Sequence, residues 1–255
     1  MIALAAVCLL FPACVSAQSE NDRFSSLDSI IQSSIQNHEI PGAVLLVGHD
    51  GQVIYRKAFG NRSLEPTRAP MTVDTIFDLA SLTKVVATTS AIMQLEEQGK
   101  VRLSDPVVKY IPEFGQSGKG DITVRDLLTH YSGLAPDIDL NPPWTGRDTA
   151  YKLSFADDPI APPGTRFVYS DTNFIVLGAL VERVSGMPLD VYCERNVFSP
   201  LGMSHTRFLP PKEWLPQIAP THRDVLHTDR SPRWDTPPDR SGPSSPYREM
   251  HQIQL

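Results

Sequence analysis

Residues 81–99 read SLTKVVATTSAIMQLEEQG, and the reading of this stretch decides the fold. Val85, Val86, Ile92, Met93 and Leu95 recur mostly at helical spacings, and Gly99 stands where a helix would stop, so a helix is expected from Ser81 to Gly99. Ser81 then falls at or next to the N-cap. Residues three apart share a helix face, which brings the Lys84 side chain beside the Ser81 hydroxyl, near the positive end of the helix dipole. A hydroxyl becomes a nucleophile when an adjacent base takes its proton, and a neutral lysine amine is such a base. Ser81 and Lys84 are therefore the candidate nucleophile and base. Serine is also a common N-cap and lysine a common helix residue, so the tetrapeptide acquires meaning only with a second motif.

The rest of the chain sets the frame. Its 255 residues, 41% of them hydrophobic, suit one large domain or two lobes sharing a core. With 23 basic against 29 acidic residues the formal charge is -6, and no basic stripe interrupts the pattern, so nucleic acid is not an expected partner. The opening MIALAAVCLLFPACVSAQSE is an apolar run ending in Val15-Ser16-Ala17, small residues that suit cleavage before Gln18. Residues 1–17 are thus expected to be a signal peptide and the protein to be exported, periplasmic or secreted. Lipid anchoring at Cys14 is the secondary expectation. The run is short for a transmembrane helix, and no span is expected after cleavage. Of Cys8, Cys14 and Cys193 only the last would survive processing, which excludes a disulfide framework. Cys193 lies in an amphipathic stretch and is expected to be a buried, inert thiol.

Phe24, Leu27, Ile30, Ile31 and Ile35 predict a first amphipathic helix that stops before Pro41-Gly42. A hairpin follows. Ala43 to Gly48 and Gln52 to Phe59 read as strands, joined by Asp50-Gly51, which tolerate the positive φ angles of a tight turn. Thr123-Val124-Arg125-Asp126 reads as a capping box opening a short helix through Leu127, Leu128 and Thr129 that Gly133 closes. Further helices are expected from about Thr172 to Ser185, capped by Gly186, and from about Leu189 to Val197. From His222 onward five prolines and scattered charges leave no helical or strand period, so residues 222–255 are expected to be a disordered tail.

The second motif is Tyr169-Ser170-Asp171, with Asn173 just beyond, in a loop entering a helix. Together with Ser81-Leu82-Thr83-Lys84 and with Leu127-Leu128-Thr129-His130-Tyr131-Ser132-Gly133-Leu134, it resembles the serine β-lactamase and penicillin-binding group. Within that group the chain is most similar to the class C β-lactamase, D-alanyl-D-alanine carboxypeptidase and family VIII esterase branch, over residues 22 to 221. The resemblance implies an α+β, β-lactamase/transpeptidase-like fold, an antiparallel sheet flanked by helices plus a mainly helical lobe. It further implies that Ser81 is the acylated nucleophile, Lys84 its proton acceptor or electrostatic partner, and Tyr169 the phenol that carries a proton to the leaving group. The substrate implied is a small molecule or a peptidoglycan-like peptide, with no cofactor and no metal.

Two departures qualify these implications. Position 171 carries Asp where the family's usual motif is Tyr-x-Asn, and an ionised carboxylate cannot donate to a substrate carbonyl as an amide does. Asp171 and Asn173 are the candidate substrate-binding residues, with two further expectations: that Asp171 holds Lys84 charged, and that Asn173 supplies the missing donor. The second departure is the family's third motif, Lys, His or Trp followed by a small residue and Gly on a late strand that gives half the oxyanion hole. Only Trp144-Thr145-Gly146 fits its letters, and it precedes Tyr169 and follows two prolines. The later strands are therefore expected to be missing, through a change of frame or gene end near Pro220 to His222. Losing one oxyanion donor costs about a hundredfold to a thousandfold in rate. The alternative expectation is thus a catalytically inactive, truncated member acting as a binding protein or remnant.

Other chemistries find no support in the sequence. There is no Gly-x-Ser-x-Gly elbow, His38-Glu39 is followed by Gly42 where a zinc protease helix needs its second His, and His222-Arg223-Asp224 stands without the glycine-rich loop of a kinase.

Overall fold

Asp50 and Gly51 adopt φ angles of 48° and 74°, the two left-handed conformations that a two-residue hairpin turn demands. They join β1 (Gly42–His49) to β2 (Gln52–Ser63), which pair antiparallel from Gly42 opposite Gly60 to His49 opposite Gln52, with one irregularity between Val47 and Gly48. A short β3 (Ala69–Pro70) extends the sheet on the far side of β2. The first amphipathic stretch forms α1 (Ser25–Gln36), which packs on the hairpin. Its Asp28 ties it there, accepting the Tyr55 hydroxyl at 2.5 Å and pairing with Lys57 on β2. Gly42 and Gly60 are required by close approach: a Cβ on Gly42 would stand 2.5 Å from the carbonyl oxygens of Phe59 and Asn61.

These elements belong to the first of two compact units, Met1–Thr75, and the second is Ile76–Leu255. The computed structural model describes residues 23–139, 144–220 and 253–254. The expected signal peptide, residues 1–17, lies outside the described residues, as does the expected tail apart from Ile253–Gln254.

The second unit is built around α5 (Asp171–Ser185). Its residues from Thr172 to Val181 are all buried, so it has no solvent face over that length, as befits a central helix. Around it pack α2 (Ser90–Glu97), α3 (Val124–Leu128), α4 (Arg147–Ala156) and α6 (Leu189–Cys193). Phe114, Leu95, Leu127, Leu177 and Phe198 are fully buried in the shared core, each stabilising it by about 1.5–3 kcal/mol. Cys193 is fully buried in the same core, as expected of an inert thiol. A two-residue β4 (Arg207–Phe208) pairs antiparallel with β5 (Ile253–Gln254). Among the described residues no helix is long and apolar enough to cross a membrane.

Three expectations are corrected in detail and one element is added; the helix expected from Leu189 to Val197 is α-helical only to Cys193 and continues as a π-helical stretch at Glu194–Phe198. The Ser81 to Gly99 helix is composite: a 3-10 turn at Ala80–Leu82, a π-helical stretch at Lys84–Thr89, then regular α2. Ser81 sits inside the tight first turn and makes no side-chain cap. The Thr123 capping box is present in both directions, but α3 ends at Leu128 and the first left-handed residue is His130, at φ 61°, before Gly133 at 78°. The added element is α4, which periodicity did not announce; Trp144-Thr145-Gly146 is the approach to its first turn, with Gly146 at φ 88°.

Candidate functional site

The turn that carries Ser81 is strained on its approach. Ala80 holds φ at 43°, a costly angle for a side chain with a Cβ, and its N–H donates to Asp78 Oδ1 at 2.8 Å. Burial pushes the Asp78 carboxyl above its ordinary value, and that N–H partly offsets the rise. The tight turn leaves Ser81 exposed while Lys84, three residues on, is buried. Lys84 Nζ donates to Ser81 Oγ at 3.4 Å, so the two residues lie on one face as their spacing implied.

The second motif arrives from the other side. Ser170 caps α5: its hydroxyl accepts the Asn173 N–H at 3.3 Å and donates to the Ala135 carbonyl at 2.6 Å. Tyr169 therefore stands just outside the helix, nearly half exposed, with its ring centroid 5.2 Å from Lys84 Nζ. Asp171 opens the helix, where the dipole favours an anion, and its N–H donates to the Pro136 carbonyl at 2.7 Å. Its Oδ1 lies 2.7 Å from Lys84 Nζ. The geometry is that of the expected Asp171–Lys84 pair. Ser81, Lys84, Tyr169 and Asp171 are thus one cluster drawn from two segments.

Asn173 is placed differently. It is fully buried, its Oδ1 accepts the Ser132 hydroxyl at 2.5 Å, and its Nδ2 faces His130 Nδ1 at 3.2 Å. The expected amide donor to a substrate is corrected by this burial: Asn173 is spent on holding the loop behind the site.

His130, Ser132, Asp78 and Asp137 were not singled out from the sequence. His130 and Ser132 stood in the quoted LLTHYSGL segment, which was the available signal; nothing in the letters marks a histidine for a left-handed angle. Burial first, then the Lys84 charge, lower the His130 pKa from its ordinary 6.5, against the opposing influence of Asp171. Asp137 is raised to about 6, chiefly by desolvation, with the Asp171 charge adding to the rise and the Ile138 N–H opposing it. Among the described residues no group of three or more His, Cys, Asp or Glu side chains gathers as a metal site would need.

A central helix whose entrance presents a Tyr-x-Asp against an exposed serine and a buried lysine defines a class: the β-lactamase/transpeptidase-like fold. The beta-lactamase family model matches residues 27–251, and the chain belongs to that family. A putative D-alanyl-D-alanine carboxypeptidase of Escherichia coli (strain K12) is 34% identical over 214 residues, covering 74% of this chain and 48% of that protein. The solved structure of EstCE1, a hydrolase with promiscuous acyltransferase activity, is 30% identical, covers 81% of this chain and 58% of that one, and superposes with a TM-score of 0.68. A class C beta lactamase at 24% identity shares the fold with a TM-score of 0.73, over 94% of this chain and 63% of that one. The chain spans about half the length of the curated relatives it matches.

Proposed function

We propose that the chain is a serine hydrolase that acts through an acyl-enzyme on Ser81, with an amide, β-lactam or ester as substrate. Ser81 Oγ forms the bond to the substrate carbonyl carbon as its proton passes to Lys84, and the bond from that carbon to the leaving group breaks as the Tyr169 phenol gives up its proton and regains one from Lys84. The phenol proton goes to the leaving amine or alcohol, and water then cleaves the ester to restore the serine. The observation that carries this reading is Lys84 Nζ standing 3.4 Å from Ser81 Oγ with the Tyr169 ring 5.2 Å away. The names of the relatives support a peptidoglycan-type peptide as one member of the substrate class.

Reaction with a fluorescent penicillin or a fluorophosphonate, followed by mass spectrometry of the Ser81 peptide, tests the proposal. A single adduct on Ser81, lost in Ser81→Ala, is expected; absence of any adduct refutes it. The 2.7 Å pair between Lys84 and Asp171 favours a second reading, a chain that binds such substrates without turning them over, because a lysine held as a cation accepts no proton. Binding of penicillin without acylation is the result that selects it. We further propose export with removal of residues 1–17; N-terminal sequencing of the product secreted by a bacterial host is expected to begin at Gln18.

A further inference from the structure

His130 holds the segment around Tyr169 from both ends. Its carbonyl accepts the Val168 N–H at 2.9 Å and its Nδ1 accepts the Ser170 N–H at 3.1 Å, so the residues on either side of Tyr169 are bonded to one histidine. Its ring lies 4.6 Å from the Tyr169 ring at 35°, with Phe167 at 5.7 Å and Phe174 at 5.4 Å around it. The backbone that aims the ring is the left-handed conformation at φ 61°.

The proton on this ring is fixed by its neighbours. The Asn173 amide is oriented by the Ser132 hydroxyl, which donates to Oδ1, so Nδ2 turns its hydrogens toward His130 Nδ1. Two donors, Ser170 N–H and Asn173 Nδ2, converge on Nδ1, which therefore carries no proton, and the neutral ring is protonated at Nε2. An imidazolium would set an N–H against both donors and break the bond to Ser170.

We propose that His130 is the positioning residue for Tyr169, effective only as the neutral Nε2–H tautomer, so that its protonation withdraws the phenol from Ser81 and Lys84 and sets the acid limit of acylation. This rests on the reading of Ser81 as nucleophile and Tyr169 as proton carrier. The charged and titratable groups facing the ring are Lys84 from the Ser81 segment, Asp171 at the start of α5 and the Tyr169 phenol; Tyr131, next in sequence, turns its ring to Phe167 at 6.0 Å. Lys84 and burial oppose the imidazolium and Asp171 alone favours it, which puts the transition below 6.5.

Two arms test this on the full chain. In nitrogen-15 NMR, His130 is expected to show an unprotonated Nδ1 and a protonated Nε2 at pH 7.5, and the Ser170 amide to shift with the His130 midpoint, below 6.5. A Ser170 amide indifferent to that titration overturns the proposal, whether or not the chain acylates. In the second arm, acylation of Ser81 by a fluorescent penicillin is followed against pH. His130→Asn offers an acceptor near the Nδ1 position and tolerates the left-handed angle, so it is expected to keep acylation within about tenfold of wild type and to lose the acid limb. His130→Phe keeps a ring without an acceptor, so its rate is expected to lie about a hundredfold below the wild-type plateau and to show no acid limb from this residue. Wild-type rates in His130→Phe, or an acid limb persisting in His130→Asn, overturn the proposal. A wild-type chain that forms no adduct refutes the nucleophile reading instead, and the NMR arm still decides whether His130 positions Tyr169.

Discussion

Lys84 Nζ lies 2.7 Å from Asp171 Oδ1 and 3.4 Å from Ser81 Oγ, so the lysine is closer to an acid than to the serine it would deprotonate. The Lys84 side chain is 6% exposed and that of Asp171 28%, a setting in which an ion pair is only partly screened. Asparagine at this position would keep an acceptor for Lys84 and remove the carboxylate that competes with Ser81 for its Nζ. Asp171→Asn is therefore expected to raise the acylation rate by penicillin at pH 7 about tenfold, equivalent to roughly 1.4 kcal/mol. The folded chain should lose about 1–3 kcal/mol in denaturant titration, since the buried cation loses its counter-charge. An unchanged acylation rate would show that Asp171 does not limit Lys84.

Behind the cluster, Gly133 permits two loops to touch. It sits at φ 78°, and a Cβ there would stand 2.0 Å from the Ala161 carbonyl oxygen, which belongs to backbone that cannot swing aside. Its own carbonyl accepts the Ile160 N–H at 2.8 Å, and Tyr131 next door accepts Gly164 N–H at 2.7 Å. Gly133→Ala combines a disfavoured angle with a clash, and a stability loss of roughly 3 kcal/mol or more is expected in urea unfolding. A loss under roughly 1 kcal/mol would mean that the 160–164 loop is not held against this turn.

How far these features were legible depends on their range in sequence. The hairpin turn at Asp50-Gly51, the Thr123 capping box and the Ser81 to Lys84 spacing are local devices, set by residues within four positions of each other, and each forms where the letters place it. The 3-10 and π geometry between Ala80 and Thr89 was invisible because no residue type marks it. Asn173 was misread for a different reason: its neighbours in the fold, Ser132 and His130, lie some forty residues away, and only the packing of α3 against α5 turns its amide inward. Asp171 stands out only against the Tyr-x-Asn of the family the chain resembles, and its carboxylate meets the Lys84 ammonium at 2.7 Å, as that departure led one to expect.

Cys193 offers a check on the core itself. It is fully buried, and burial pushes its thiol up to about 12, with Asp190 adding a smaller rise. The thiolate that reacts with alkylating agents is then scarce at pH 8, roughly a thousandfold below an ordinary cysteine. Iodoacetamide at pH 8 should leave the Cys193 peptide unlabelled in the native chain and label it readily in urea, as read by mass spectrometry. Rapid native labelling would mean that α6 opens or packs less tightly than its buried neighbours imply.

The anchor of α1 in the first unit predicts a pH dependence with two limbs. Hydrogen bonds from Lys57 and then Tyr55 hold the Asp28 carboxyl below its ordinary 3.8, while the Asp28 hydrogen bond raises both Lys57 above 10.5 and Tyr55 above 10.0. A lowered carboxyl binds fewer protons folded than unfolded, so its contribution is complete above 3.8 and disappears as the pH falls through the folded value. The raised Lys57 and Tyr55 do the reverse: their contribution is complete below about 10 and disappears as the pH rises through their folded values. Asp28→Asn removes the cause of all three shifts. The melting temperature of the wild type should therefore exceed that of Asp28→Asn most between about pH 5 and 9, with the difference shrinking toward pH 3 and toward pH 11. An offset that stays constant across that range would mean that Asp28 anchors α1 by shape alone and that its charge contributes nothing.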